Sequence, residues 1–401
     1  MVHLTRRSLF GAAAAAAITA AGPPSAAASR APRKSPASAA RLTLPAPTGP
    51  HPIGTVSVHL VDPARPDPWH GNRRPRELMV QLWYPARGAP GHPVAPWLSP
   101  AAVPHFEQAQ GIPAGALLLP DTHARMGAPV DRGRCGRPLL LYSPGLHSNR
   151  SLGTIVVEDL ASHGYLVAAV DHTYDADQVA FPGGGVATYA LPAVDDATIA
   201  EALAVRTADI RFVLHRLVSL NAGHNPDAAR RRLPATLTGA FSLSQIGILG
   251  YSLGGATAAA AMRADPRLRA GINLDGSFPA PAARGTGRPF LLFGSDPGPG
   301  PGDPSWDQFW ARQHGWKREL ALLGTTHTSF TDLEILLPQA APILGLTPDQ
   351  VTQAIGTLDP RRAIHAQRDY VRAFFDLHLR RRDTRLLGRP SSRYPQIRFL
   401  R

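Results

Sequence analysis

Two stretches near the start of the chain, IGTVSVHLVD (53–62) and RELMVQLWYPA (76–86), alternate apolar and polar positions. That is the period of a strand with one face buried, and it predicts an opening antiparallel pair. Six later runs lose the alternation: RPLLLYS, GYLVAAVD, QIGILG, RAGINLD, RPFLLFGSD and RELALLGTTH. Continuous apolar runs of this length suit strands buried on both faces, as in a parallel sheet covered by helices. Between the second and third lies TIAEALAVRTADIRFVLHRLVSL, with Ile199, Leu203, Ile210, Val213, Leu214 and Leu217 near helical spacing. The terminal AIHAQRDYVRAFFDLHLRR repeats that spacing, and Val371, Phe374 and Phe375 read as core anchors. Strand and helix in this order predict a doubly wound, mostly parallel α/β fold in one domain from about residue 53 to 401.

Composition agrees with a folded chain. Of 401 residues, 44% are hydrophobic and 18% charged, which is globular usage. The formal charge of +13 raises the question of nucleic acid. However, the arginines are scattered and no basic stripe is interleaved with aromatics, so weak attraction to a membrane surface is the better reading of the charge. Residues 1–28 combine Arg6-Arg7, an apolar run from Leu9 to Ala21 and an ending in Ala26-Ala27-Ala28. This predicts a twin-arginine export signal cut near Ala28, and hence a secreted protein. Residues 29–52, rich in Pro, Ala and Ser, predict a disordered linker. Cys135 is the sole cysteine, so stability must come from the core rather than from an internal disulfide.

The chemistry centres on LGYSLGGA (249–256). A buried strand ends at Leu249, Gly250-Tyr251-Ser252-Leu253-Gly254 makes the turn, and an alanine-rich helix follows. Strand, G-x-S-x-G and helix in this order hold a serine in a strained conformation with its hydroxyl above the sheet. The helix start turns backbone N–H groups towards any negative charge formed beside it. A serine needs a base and an orienting acid, in the order Ser, acid, His for this fold. His327 lies just past the last core strand, where the base is expected, whereas His314 precedes that strand and His365 and His378 sit on the terminal helix. Two acids end successive strands, Asp275 and Asp296, and the residues alone leave both open.

Taken together, LLLYSPGLHSNRS, EDLASHGYLVAAVDH, VRTADIRFVLHRL, IGILGYSLGGATAA, RAGINLDGSF and GTTHTSFTD resemble the plasma and intracellular type II platelet-activating factor acetylhydrolases. These are calcium-independent phospholipases A2 of α/β-hydrolase fold, and the likeness runs through residues 135–335. It implies Ser252 as nucleophile, His327 as base and Asp275 as acid, with Asp296 as the alternative one strand later. It also implies an oxyanion hole formed by the backbone N–H groups of Leu253 and Leu146, and hydrolysis of short sn-2 acyl esters of phospholipids with no cofactor or metal. Tyr251, Pro144 and Gly276-Ser277-Phe278 depart from the vertebrate pattern around the pocket. The same triad would also serve a broad carboxylesterase or a cutinase-like polyester hydrolase. Asp171, His172, Asp175 and Asp177 read as a polar loop over the pocket mouth, and GALLLP (115–120) and LPQAAPILGL (337–346) as core packing.

Overall fold

The computed structural model describes residues 41–71, 74–279, 282–296 and 303–401. The expected export signal lies outside them. The described part of the expected linker, residues 41–52, is packed on the domain instead. Leu42 and Leu44 are buried there, and the Thr48 hydroxyl donates to Asp159 at 2.8 Å. The apolar side chains of this proline-rich stretch find partners, so composition alone misled.

In chain order the elements are β1 (Ile53–Pro66), β2 (Pro75–Pro85), β3 (Val94–Pro96), α1 (Val103–Gln110), β4 (Asp121–Met126), β5 (Arg137–Ser143), α2 (Thr154–Ser162) and β6 (Leu166–Asp171). Then come β7 (Gln178–Ala180), β8 (Val186–Thr188), α3 (Asp196–Asn221), β9 (Phe241–Tyr251), α4 (Leu253–Ala264), β10 (Leu268–Leu274), β11 (Phe290–Ser295) and α5 (Pro304–Arg312). The chain ends with β12 (Lys317–Leu322), α6 (Leu333–Leu344), α7 (Pro348–Ile355), α8 (Pro360–Arg380) and β13 (Ile397–Phe399).

All but the β7–β8 hairpin join one sheet, in the order β13-β12-β11-β10-β9-β5-β6-β2-β1-β4-β3. The six continuous apolar runs form its parallel centre, from β6 through β5, β9, β10 and β11 to β12. The alternating pair forms the antiparallel β1–β2 ribbon beside β6. Helices α3, α4 and α5 cover one face and α2 and α8 the other, each against its own apolar cluster. A third cluster lies under α6 and α7 and takes Leu42, Leu44, Leu117, Leu336 and Leu337, so both apolar stretches read as core are largely core. Leu118 and Ile343 remain exposed.

Strand β5 is followed in sequence by β6 on one side, but its neighbour on the other side is β9. This reversal opens a crevice above the carboxyl ends of β5 and β9, the usual ligand position in such sheets.

Candidate active site

The turn after β9 delivers Ser252 into that crevice. Its backbone stands at φ 54°, ψ −126°, a sparsely populated region for a non-glycine residue that persists only when the surroundings enforce it. The enforcement is steric. A Cβ on Gly250 would collide with the carbonyl of Gly254, and one on Gly254 would collide with the carbonyls of Ser143 and Pro144. With both side chains absent, α4 starts directly against the end of β5. The N–H of Leu253, in the first turn of α4, has no acceptor within its own helix.

Asp275 follows β10 and is also left-handed, at φ 56°. Its carboxylate is fully buried. Oδ1 accepts from the Ser295 amide at 2.6 Å and the Ser295 hydroxyl at 3.0 Å. Oδ2 faces His327 Nδ1 at 2.6 Å. His327 opens a short 3₁₀ turn, held by a reciprocal cap between Thr326 and Ser329, and its Nε2 lies 3.0 Å from Ser252 Oγ. The Tyr251 ring tilts against the imidazole at a centroid distance of 4.8 Å. Burial, with the Asp275 charge nearby, drives the Tyr251 hydroxyl well above its usual range and keeps it neutral. The structure thus brings Ser252, His327 and Asp275 into one hydrogen-bonded line. Asp296 is elsewhere, accepting from Arg398 at 3.2 Å. The His327 side chain is 45% exposed, so the cleft is open above it.

Leu146 lies in the loop after β5. The amides on its C-terminal side are engaged, His147 N–H to Asp175 O at 3.1 Å and Ser148 N–H to Gly145 O at 3.2 Å. The His147 ring stacks on Tyr189 at 3.9 Å and contacts Asp177 through Nδ1 at 2.8 Å.

The Asp171–Asp177 stretch is not the polar loop expected over the pocket mouth. Asp171, His172 and Asp175 are buried, and each is neutralised or hydrogen-bonded from a distant element. Asp171 pairs with Arg150 and Asp175 with Arg206. His172 bridges Asp209 and the Ser143 hydroxyl, each at 3.0 Å. Burial pushes His172 down, so the ring is neutral. Burial alone would raise the Asp209 carboxyl. Arg76 beside it, together with hydrogen bonds from His172 and Arg76, holds it far below the usual carboxylate range. Sequence reasoning missed Arg206, Asp209 and Ser295. The first two carried a signal, since both lie on the apolar face of α3, three or four residues from Leu203, Ile210 and Val213.

A cavity of about 380 Å³ beside β1 and β2, lined in part by Gln81, Trp97, Asn149, Arg150 and Arg231, includes none of the three aligned residues. Among the described residues, no group of three or more His, Cys, Asp or Glu side chains is placed to hold a metal ion.

A strained serine between β9 and α4, a histidine after β12 and a mostly parallel sheet in this order define an α/β-hydrolase. A family model described as platelet-activating factor acetylhydrolase, isoform II, matches residues 37–182 and 194–385. The chain belongs to that family, and it is a carboxylic ester hydrolase. A probable 1-alkyl-2-acetylglycerophosphocholine esterase of Arthroderma benhamiae is 28% identical over 397 residues, 89% of this chain and 93% of that one. The platelet-activating factor acetylhydrolase of Cavia porcellus is 29% identical over 176 residues, 40% of this chain and 39% of its own length. Among solved structures, a ferulic acid esterase from Streptomyces cinnamoneus superposes with a TM-score of 0.73. It is 36% identical and is matched over 90% of this chain and 100% of its own.

Proposed function

We propose that this chain cleaves short acyl esters, the sn-2 acetyl ester of phospholipids among them, through an acyl-enzyme on Ser252. One observation carries the reading, the line from Ser252 Oγ through His327 to Asp275 at 3.0 and 2.6 Å. His327 Nε2 takes the serine proton as Oγ attacks the ester carbonyl. The N–H groups of Leu253 and Leu146 receive the developing oxyanion. Asp275 accepts from Nδ1–H, which fixes the tautomer that leaves Nε2 free and favours the imidazolium once it forms. The imidazolium then protonates the leaving alcohol. Water, activated by the same nitrogen, attacks the acyl-enzyme and regenerates Ser252.

The acetylhydrolase relatives support the phospholipid substrate and a role in lipid degradation. A broader carboxylesterase, extending to aryl or polymer esters, is the second reading. The open cleft over His327 and the likeness to the ferulic acid esterase favour it. Measuring kcat/KM on an sn-2 acetyl phospholipid, on a soluble aryl acetate and on a feruloyl ester, with Ser252→Ala as blank, separates them. Preference for the phospholipid supports the lipid reading, and turnover of the aryl esters alone leaves a general esterase. Secretion through the twin-arginine signal at residues 1–28, and weak contact with a membrane surface, complete the proposal.

A further inference from the structure

We propose that Arg206, which touches no reacting atom, is the positioning residue of the oxyanion hole and aims the Leu146 amide at the substrate. This rests on the serine-esterase reading above. Arg206 lies on α3 and is fully buried. Its Nη1 donates to the carbonyl of Pro144 at 2.6 Å and its Nη2 to the carbonyl of Gly145 at 2.9 Å. Nε donates to Asp175 at 2.6 Å, and Nη2 also reaches that carboxylate. One planar guanidinium therefore spends its fixed donor fork on two successive carbonyls and one carboxylate, a geometry lysine cannot reproduce.

The consequence follows from peptide planarity. In a trans peptide the C=O and the following N–H point in opposite directions. Holding the Gly145 carbonyl on Arg206 therefore turns the Leu146 N–H away from α3. The loop is sandwiched between Arg206 and the nucleophile, because a Cβ on Gly145 would stand 2.9 Å from the Tyr251 ring and 3.1 Å from Ser252 Cβ. Facing away from the guanidinium is facing the side of the serine. Asp175 fixes the other end of the clamp. Its carboxylate balances the buried charge while its carbonyl accepts the His147 amide at 3.1 Å, and the Asp177 amide donates to the His147 carbonyl at 3.2 Å. The loop is held from both sides before substrate arrives, which is what preorganised oxyanion binding requires.

The test compares an aryl ester with its thionoester, whose C=S is a poorer hydrogen-bond acceptor than C=O. Three variants are assayed: Arg206→Lys, the double variant Arg206→Met with Asp175→Leu, which leaves no unpaired buried charge, and Ser252→Ala. The double variant is expected to lower kcat on the ester by roughly 10²-fold, the scale of one lost oxyanion donor, with KM within about 3-fold of wild type. The thionoester rate should change far less, so the ester preference collapses. Arg206→Lys, the variant safer to fold, should lose about 10-fold in the same selective way, since an ammonium cannot keep the whole fork. Equal losses on both substrates, or wild-type ratios in folded variants, would overturn the assignment. Turnover by Ser252→Ala would instead overturn the nucleophile reading beneath it.

Discussion

Replacing Asp275 by asparagine keeps the size of the side chain and its burial but turns one of two acceptors into a donor. In the wild type Oδ1 takes the Ser295 amide at 2.6 Å and Oδ2 faces His327 Nδ1 at the same distance. Asparagine has one acceptor oxygen for these two donors. The Ser295 N–H belongs to the backbone and cannot turn away, so the amide oxygen goes to it and the NH₂ group faces the imidazole. Nδ1 must then accept, and the proton moves to Nε2, the nitrogen 3.0 Å from Ser252 Oγ. A protonated Nε2 cannot take the serine proton. Loss of the correct tautomer costs on the order of 10⁴ in kcat, or about 5 kcal/mol of transition-state stabilisation. The assay is kcat on a soluble aryl acetate for Asp275→Asn and Asp296→Asn, with thermal melting as the folding control. Asp296→Asn should stay within about 3-fold of wild type, because it loses only an exposed ion pair. A folded Asp275→Asn enzyme keeping a tenth of its kcat, or a larger loss in Asp296→Asn, would refute the reasoning.

Other perturbations test the supporting structure. Asp209→Asn leaves buried Arg76 with Asp67 as its remaining carboxylate and should cost roughly 3–5 kcal/mol of stability, read by denaturant unfolding. The same network makes the fold acid-sensitive. His172 and Asp209 both have lowered pKa values, so their contribution is complete above the unfolded histidine value of about 6.5 and declines as pH falls below it. Wild type should therefore lose melting temperature relative to His172→Gln as pH falls from 7 to 4, and a constant difference between the two would count against it. Glu334 has the opposite sign. Burial pushes its carboxyl up to about 8. Its protonated form favours the fold at low pH, and that contribution is lost as pH rises through about 8. Glu334→Gln should therefore melt higher than wild type at pH 9, with little difference at pH 4. Finally, Arg6→Lys with Arg7→Lys should trap the protein inside the cell, and unchanged export would remove the twin-arginine route.

The parallel centre was legible because strands buried on both faces leave unbroken apolar runs, and the serine turn because its glycines are forced by contact. Strand β4 was not legible. DTHARM carries no apolar period, since it lies between β1 and the short edge strand β3 and only Thr122 and Ala124 are buried there. The buried charges on and beside the β6 loop were also hidden. Asp175 and Asp209 would be surface residues in isolation, and their partners Arg206 and Arg76 come from other elements. The choice between Asp275 and Asp296 was out of reach of the residues alone for a related reason. Both end strands, and only the left-handed turn after β10 directs one of them to His327.

The central claim is that Ser252 attacks the ester. Its most direct test is active-site titration with an activated aryl phosphonate ester, followed by peptide mass analysis. The account predicts one equivalent of aryl alcohol released per chain, the adduct on the peptide holding Ser252, and none on Ser252→Ala. Labelling of another residue, or stoichiometric labelling of Ser252→Ala, would contradict it.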